Sequence, residues 1–262
     1  MGGALRAVSG AQGAFSDLAR GGGRGALVTV LAGASPGAKL FVGADGSTLG
    51  TLGSRELDAT AAGFAEELMW REESERREAG DVALFVDVTF PPPRLILFGA
   101  VDYAVSLCRI ARTIGWRPYV VDPRARFARP ARYPDAERVV AAWPDEAFAE
   151  LGGIDRATAI AVLTHDPKLD DAALLIALRS EAGYIGAMGS RRAQASRRER
   201  LLAKGIGDEE LARIAAPIGL DLGALTAEET ALSIMAEIVA VKHGHGGGRL
   251  AHASGRIHEV GV

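Results

Sequence analysis

Four short stretches of this chain hold the residue types from which a ligand site is built. The first, Gly99-Ala100-Val101-Asp102-Tyr103-Ala104, follows the apolar run Leu95-Ile96-Leu97-Phe98. A dinucleotide turn needs glycines for the tight bend, for the approach of the pyrophosphate and for helix packing. Gly99 supplies the first, whereas Val101 stands at the second glycine position and Ala104 at the third. Helix packing is thereby kept, while a β-branched side chain sits where phosphate would approach. Asp122 closes the next apolar run, Val120-Val121-Asp122, where a ribose-binding carboxylate is expected. The second stretch, Thr164-His165-Asp166-Pro167-Lys168-Leu169-Asp170-Asp171, also follows an apolar strand, which puts it at the carboxyl edge of a sheet. His165 with Asp166 and Asp170 has the composition of a metal site or an acid/base pair, and Asp170 or Asp171 equally suits a helix cap.

The third stretch, Gly186-Ala187-Met188-Gly189-Ser190-Arg191-Arg192, reads as strand end, glycine turn and helix start. Backbone N–H groups freed at such a turn, a capping Ser190 and two arginines make an anion cradle. A solvated basic helix face is the alternative, since Arg197, Arg198 and Arg200 follow. The fourth, Ala216-Pro217-Ile218-Gly219-Leu220-Asp221-Leu222-Gly223, either closes over the same edge or only links helices. Cys108 shares an i, i+3, i+4, i+7 face with Ala104, Leu107 and Ala111, which buries the thiol and argues against reactivity. No catalytic residue is assigned, because no serine sits in a nucleophile elbow.

These stretches require an α/β framework. Strands are predicted at Leu95–Phe98, Pro118–Val121, Ala159–Leu163 and Tyr184–Ala187, with a weaker one at Arg138–Ala142. Helices are predicted near Asp102–Ile114, Asp145–Leu151, Asp171–Ser180, Arg191–Ala203, Asp208–Ile214 and Ala227–Lys242. Strands alternating with helices make βαβ units and a largely parallel, Rossmann-like sheet. Thr226 and Glu229 form a capping box for the last helix.

Pro91-Pro92-Pro93 separates this part, residues 94–242, from a smaller α+β domain over 26–90. There the strands Ala26–Leu31 and Lys39–Val42, a hairpin turn at Asp45-Gly46, a helix from Glu56 to Glu78 and a strand at Val82–Val88 are expected. Residues 1–25 read as a flexible Gly/Ala-rich arm with a short helix, and residues 243–262 as a flexible tail.

Among 262 residues, thirty are basic and thirty-three acidic, so no overall positive field exists to hold nucleic acid. One cysteine excludes an intrachain disulfide framework. No apolar run reaches the ~18 residues of a membrane span, and the first residues lack a secretory apolar core. A cytoplasmic protein is expected, and a homodimer is compatible with these features.

Taken in order, Leu97-Phe98-Gly99-Ala100, Val121-Asp122, Leu163-Thr164-His165-Asp166-Pro167-Lys168, Tyr184 to Arg192, Pro217-Ile218-Gly219-Leu220 and Glu228-Glu229-Thr230-Ala231 resemble the xanthine dehydrogenase accessory factors, the XdhC/CoxI family. Pro36-Gly37-Ala38-Lys39 and the hairpin between Gly50 and Asp58 extend the resemblance toward the N-terminus. The resemblance implies a maturation factor rather than a catalyst. Such a factor binds molybdenum cofactor (molybdopterin) transiently, supports its sulfuration by a cysteine desulfurase, and inserts it into a xanthine or carbon monoxide dehydrogenase-type molybdenum hydroxylase. The cofactor-binding positions this implies are Gly99, Asp122, His165, Asp166, Gly186, Gly189, Ser190, Arg191 and Arg192, with no metal ligand of the protein's own. Two positions depart from the family: Ser54-Arg55-Glu56 replaces a Gly-Gly-Cys stretch common in relatives, and Val101 replaces a glycine. An NAD(P)-dependent oxidoreductase ranks second, and a non-catalytic interaction module on the same fold third.

Overall fold

The structure, a computed structural model, describes residues 10–252. The chain divides into two compact units, one running to Pro91 and the other starting at Pro92. In the first, the order is α1 (Ala11–Arg20), β1 (Gly25–Ala32), β2 (Lys39–Gly43), β3 (Thr48–Thr51), α2 (Arg55–Arg71), β4 (Glu75–Ala79) and β5 (Val82–Thr89). The strands form an antiparallel sheet in the order β3-β2-β1-β5-β4. Val28, Leu40 and Val86 are buried in one core with Leu68 and Met69 of α2. Leu27, pointing the opposite way by strand alternation, packs with Phe15 of α1 and Phe41. Residues 11–20, expected within a flexible arm, are therefore a packed helix. Residues 1–9, and those of the expected tail beyond His252, lie outside the described residues.

The helix expected to reach Glu78 stops at Arg71. Glu72 turns into the left-handed region (φ 60°), and its carboxylate pairs at 2.9 Å with buried Arg24, which lies over the rings of Trp70 and Phe90. The chain then reverses direction as β4, a strand of mixed charges (Glu75-Arg76-Arg77-Glu78) paired to β5 at the sheet edge. Charged residues suit an edge that must not recruit another strand, and they also read as helix formers, which is why periodicity missed it.

The second unit contains β6 (Arg94–Phe98), α3 (Asp102–Thr113), β7 (Arg117–Val121), β8 (Arg138–Val140), α4 (Pro144–Leu151), β9 (Thr158–Val162), α5 (Pro167–Leu178), β10 (Tyr184–Ala187), α6 (Arg191–Ala203), α7 (Asp208–Leu211), β11 (Ile214–Ala215) and α8 (Ala227–Lys242). All pairings are parallel, in the order β11-β10-β9-β6-β7-β8. That is the doubly wound dinucleotide order, with the chain's change of direction between β6 and β9. Alternate residues of β6 serve opposite cores: Leu95 and Leu97 with α3 and α8, Ile96 and Phe98 with α5. This is the expected Rossmann-like α/β architecture preceded by a smaller α+β unit.

Three local differences from the sequence reading follow from tertiary pairing. The helix expected over Asp208–Ile214 is shortened to α7, because Ile214–Ala215 pairs with β10 as a sixth strand. Helix α5 starts at Pro167, four residues earlier than expected, with Asp166 as its cap. The loop Ala216–Gly223 links β11 to α8: Ile218 N donates to Ala187 O (3.1 Å) and Gly219 N to Glu237 Oε2 (2.8 Å), a carboxylate that also takes the Tyr184 hydroxyl. Thr226 and Glu229 do form the capping box of α8.

Cys108 is fully buried between α3 and the sheet, and burial pushes its thiol up to about 12. Native protein should resist alkylation by iodoacetamide for hours, and concentrated guanidinium should expose one alkylatable thiol. Mass spectrometry reads this directly; rapid native labelling would show that α3 opens locally.

Candidate functional site

The carboxyl ends of β6 and β9 lie side by side at the switch point, where open α/β sheets bind ligands. Gly99 adopts φ +117°, and a Cβ there would fall 2.5 Å from Thr164 Cγ2 and 3.2 Å from Thr164 N. Glycine is thus required so that the turn after β6 can touch the loop after β9. Val101 is the N-cap of α3 in extended backbone (φ -101°), a conformation that needs no glycine. Its side chain joins Arg124, Thr164, His165, Asp166 and Pro167 in lining a crevice of about 530 Å³.

Asp122 lies beneath this crevice with no exposed surface. Its Oδ2 accepts from Ala100 N (3.0 Å) and Arg124 Nη2 (2.7 Å), and its Oδ1 from Arg124 N (3.0 Å) and Nε (2.8 Å). Burial opposes the charge, but these bonds, led by the guanidinium, outweigh it and hold the carboxyl below its ordinary range. A ribose hydroxyl would have to compete with four donors already in place. Asp122 fastens the turn after β6 to the end of β7, a different role from the ribose contact expected of it.

The loop after β9 likewise differs in detail. Asp166, not Asp170 or Asp171, caps α5, accepting from Lys168 N (3.0 Å). Asp170 and Asp171 are instead buried side by side on α5. Asp170 takes the Thr164 hydroxyl and, at 3.0 Å, Arg197 Nη2, which also donates to Met188 O (2.9 Å). Burial pushes the Asp170 carboxyl up, with Thr164 and Arg197 pulling the other way. Asp171 accepts Arg200 through both oxygens, at 2.9 and 3.0 Å. Asp170 is thus engaged by Thr164 and Arg197, and among the described residues no group of three His, Cys, Asp or Glu side chains is placed to hold a metal ion. Arg197 and Arg200, expected on a solvated face, pin α6 to α5.

The turn after β10 sits one strand over from the crevice. Gly186 is buried within β10, where a Cβ would meet Ile218 Cδ1 at 2.5 Å and the Tyr184 hydroxyl at 2.6 Å, so it serves packing and not a ligand. Gly189 takes φ +133°, Ser190 caps α6 by accepting from Ala193 N (3.3 Å), and Arg191 and Arg192 are exposed. The chain Thr164, Asp170, Arg197, Met188 O links this turn to the crevice wall.

With this geometry in view, two family descriptions match the chain: the XdhC Rossmann domain over residues 95–238, and the XdhC and CoxI family over residues 18–80. The chain belongs to the XdhC/CoxI family. Among relatives, it is 32% identical over 156 residues to a protein of Bacillus subtilis (strain 168) named as a probable xanthine dehydrogenase subunit, covering 60% of this chain and 45% of that one. It is 28% identical over 152 residues to the "Molybdenum cofactor insertion chaperone PaoD" of Escherichia coli (strain K12), covering 58% and 41%. A third relative, "Uncharacterized protein YqeB" of Escherichia coli (strain K12), is 27% identical over 238 residues, covering 83% and 43%. The chain therefore spans less than half the length of each of these relatives. A crystal structure of a Bacillus halodurans protein named a xanthine dehydrogenase shares the fold at TM-score 0.62 and 23% identity, covering 88% of this chain and 66% of that one. Among the described residues no helix is long and apolar enough to cross a membrane.

For this XdhC/CoxI member, sequence reading missed Arg124 and Arg197, the two cations that organise the site. Arg124 carried a visible signal, being the first of four arginines in the eleven residues from Asp122 to Arg132. Arg197 carried none, because its partner lies 27 residues away.

Asp122→Asn keeps the shape but removes the charge that its donors address. It is expected to cost about 2–4 kcal/mol at pH 7 by denaturant titration. The native carboxyl is depressed, so its stabilisation is complete above the unfolded value of about 3.9 and fades as pH falls through the lower folded one. The gap between wild type and variant should therefore narrow below about pH 4; a gap independent of pH would assign the cost to shape alone.

Proposed function

We propose that this chain is an accessory factor that binds molybdenum cofactor as cargo and supports its sulfuration and insertion into a molybdenum hydroxylase of the xanthine or carbon monoxide dehydrogenase type. The observation that carries the reading is the switch-point crevice itself. Its volume is in the range of small-molecule sites, its floor is fastened by Asp122, and cations stand on its rim and at the neighbouring turn. The names of the Bacillus subtilis and PaoD relatives support the cargo and the client.

His165, Asp166, Thr164 and Val101 line the space that a pterin would enter. Gly189, Ser190, Arg191 and Arg192 offer a helix start and two exposed charges to its phosphate. Gly99, Asp122 and Gly186 act from below, by letting the loops meet. The cargo brings its molybdenum with it, and the protein's part is to hold, shield and release. A cysteine desulfurase as sulfur source, a homodimeric assembly and a cytoplasmic setting belong to the same proposal. A nicotinamide-dependent reading retains one specific support, the doubly wound strand order, and is tested by a thermal shift with millimolar NAD or NADP.

Chain incubated anaerobically with released molybdenum cofactor, then desalted, should retain pterin near one equivalent, read as the fluorescent oxidation product. Replacing Arg191 and Arg192 together by Ala should lower capture about tenfold or more while leaving the unfolding midpoint unchanged. Wild-type protein that retains no pterin would overturn the reading.

A further inference from the structure

The loop from Asp122 to Arg132, between β7 and β8, holds Arg124, Arg126, Arg129 and Arg132 against one carboxylate, Asp122. Three of the cations can be followed, and the fourth, Arg129, is exposed. Arg132 donates to Ala100 O (3.2 Å) and pairs with Asp102, so it braces the turn after β6. Arg124 gives Nε and Nη2 to Asp122, leaving Nη1 without a hydrogen-bond partner among the described residues, with its side chain 40% exposed at the crevice. Arg126 is exposed and has no carboxylate within ion-pair distance among the described residues. Both guanidiniums lie 4.6 Å from the centre of the Phe127 ring, so they are no further apart than those two distances together. Phe127 is itself half-buried against the core under α3. One ring therefore carries both cations, of which Arg124 lines the crevice and Arg126 is exposed two residues further on. The acids near them are accounted for: Asp122 is consumed by Arg124, Asp102 by Arg132, and Asp166, whose charge reaches Arg124, caps α5.

At the end of the second strand of a dinucleotide fold, a free carboxylate reads a ribose diol and an arginine accommodates a phosphate on that ribose. Here the carboxylate is internal and arginine is the group presented. We propose that Arg124 and Arg126, set by Phe127, form a phosphomonoester subsite of the crevice distinct from the turn at Ser190–Arg192; the cargo's single phosphate would occupy one of the two, and the Arg126 and Arg191/Arg192 variants tell which. The ligand class is a planar heterocycle bearing a terminal phosphate, which a 2′-phosphorylated dinucleotide and the pterin cargo both provide. The proposal rests on the crevice being a ligand site, not on the cargo being molybdenum cofactor.

The test compares NADP+, NAD+ and anaerobically released molybdopterin on the full chain by equilibrium binding. The proteins are wild type, Arg126→Ser, and a control, Arg117→Ser, which removes an exposed arginine at the opposite, amino edge of the sheet. Arg126→Ser leaves the buried Asp122–Arg124 pair intact, so folding is not at stake. The expected result is a loss of about tenfold or more in affinity for a phosphomonoester ligand in Arg126→Ser. Arg117→Ser should change nothing, and any NAD+ affinity should be unchanged in both. A loss confined to NADP+ assigns the subsite to a nucleotide; a loss confined to molybdopterin assigns it to the cargo. The proposal is overturned if no phosphomonoester ligand binds wild type, if binding is indifferent to Arg126, or if NAD+ loses as much as NADP+. Wild type that binds NADP+ but retains no pterin would sink the cargo reading and leave this one standing.

Discussion

A carboxylate without water contact must be compensated by donors already in place, and Asp122 sets this requirement at the centre of the second unit. Its donors are the backbone of the turn after β6 and of the residue two beyond itself, plus one guanidinium. That choice of partners has architectural consequences. The N–H of Ala100 is directed at the carboxylate, which fixes how the chain leaves β6 and where α3 starts. The left-handed Gly99 follows, since only a residue without Cβ can make that bend against Thr164. Val101 is then free to be extended and to carry a side chain into the crevice.

A second pair of buried charges stiffens the other wall. Asp170 and Asp171 are consecutive on α5, and Arg197 and Arg200 lie three apart on α6, so each acid meets its own arginine across the helix pair. Leaving either acid alone would cost several kcal/mol, about 3–5 for a buried pair, so the two helices are coupled in position. Because Asp170 also holds Thr164, and Arg197 holds Met188 O, the loops after β9 and β10 inherit that rigidity. Freedom to move is left to exposed side chains such as Arg126, Arg191 and Arg192.

What the sequence discloses and what it hides divide along the range of the interactions. Strands β6, β7, β9 and β10 were legible because each is an apolar run closed by a turn residue, and α8 because Thr226 and Glu229 announce its start three residues apart. Strand β11 is two residues long and exists only through β10, so no window of the chain could reveal it. Strand β4 was hidden by composition, since its Glu and Arg residues favour a helix until an edge strand partner is present. The site loops were legible as positions, from their place after apolar strands. Their roles were not, because Asp122, Asp170 and Asp171 are defined by arginines whose identity as partners depends on the fold.

The glycines show the same division most sharply. In sequence, Gly99 reads as the glycine of a tight bend and Gly186 as part of an anion cradle, and in the structure both let the protein approach itself, one toward Thr164 and one toward Ile218 and Tyr184. In a dinucleotide turn the two duties usually coincide, which is why the fingerprint cannot separate them. Val101 separates them here: the position that would admit a phosphate to the backbone is closed by a side chain, while the position that lets the loops meet is kept. A crevice built this way has little bare backbone to offer an anion near α3. Recognition then falls to side chains: Arg124, Thr164, His165 and Asp166 in the lining, with the exposed Arg191 and Arg192 one strand over.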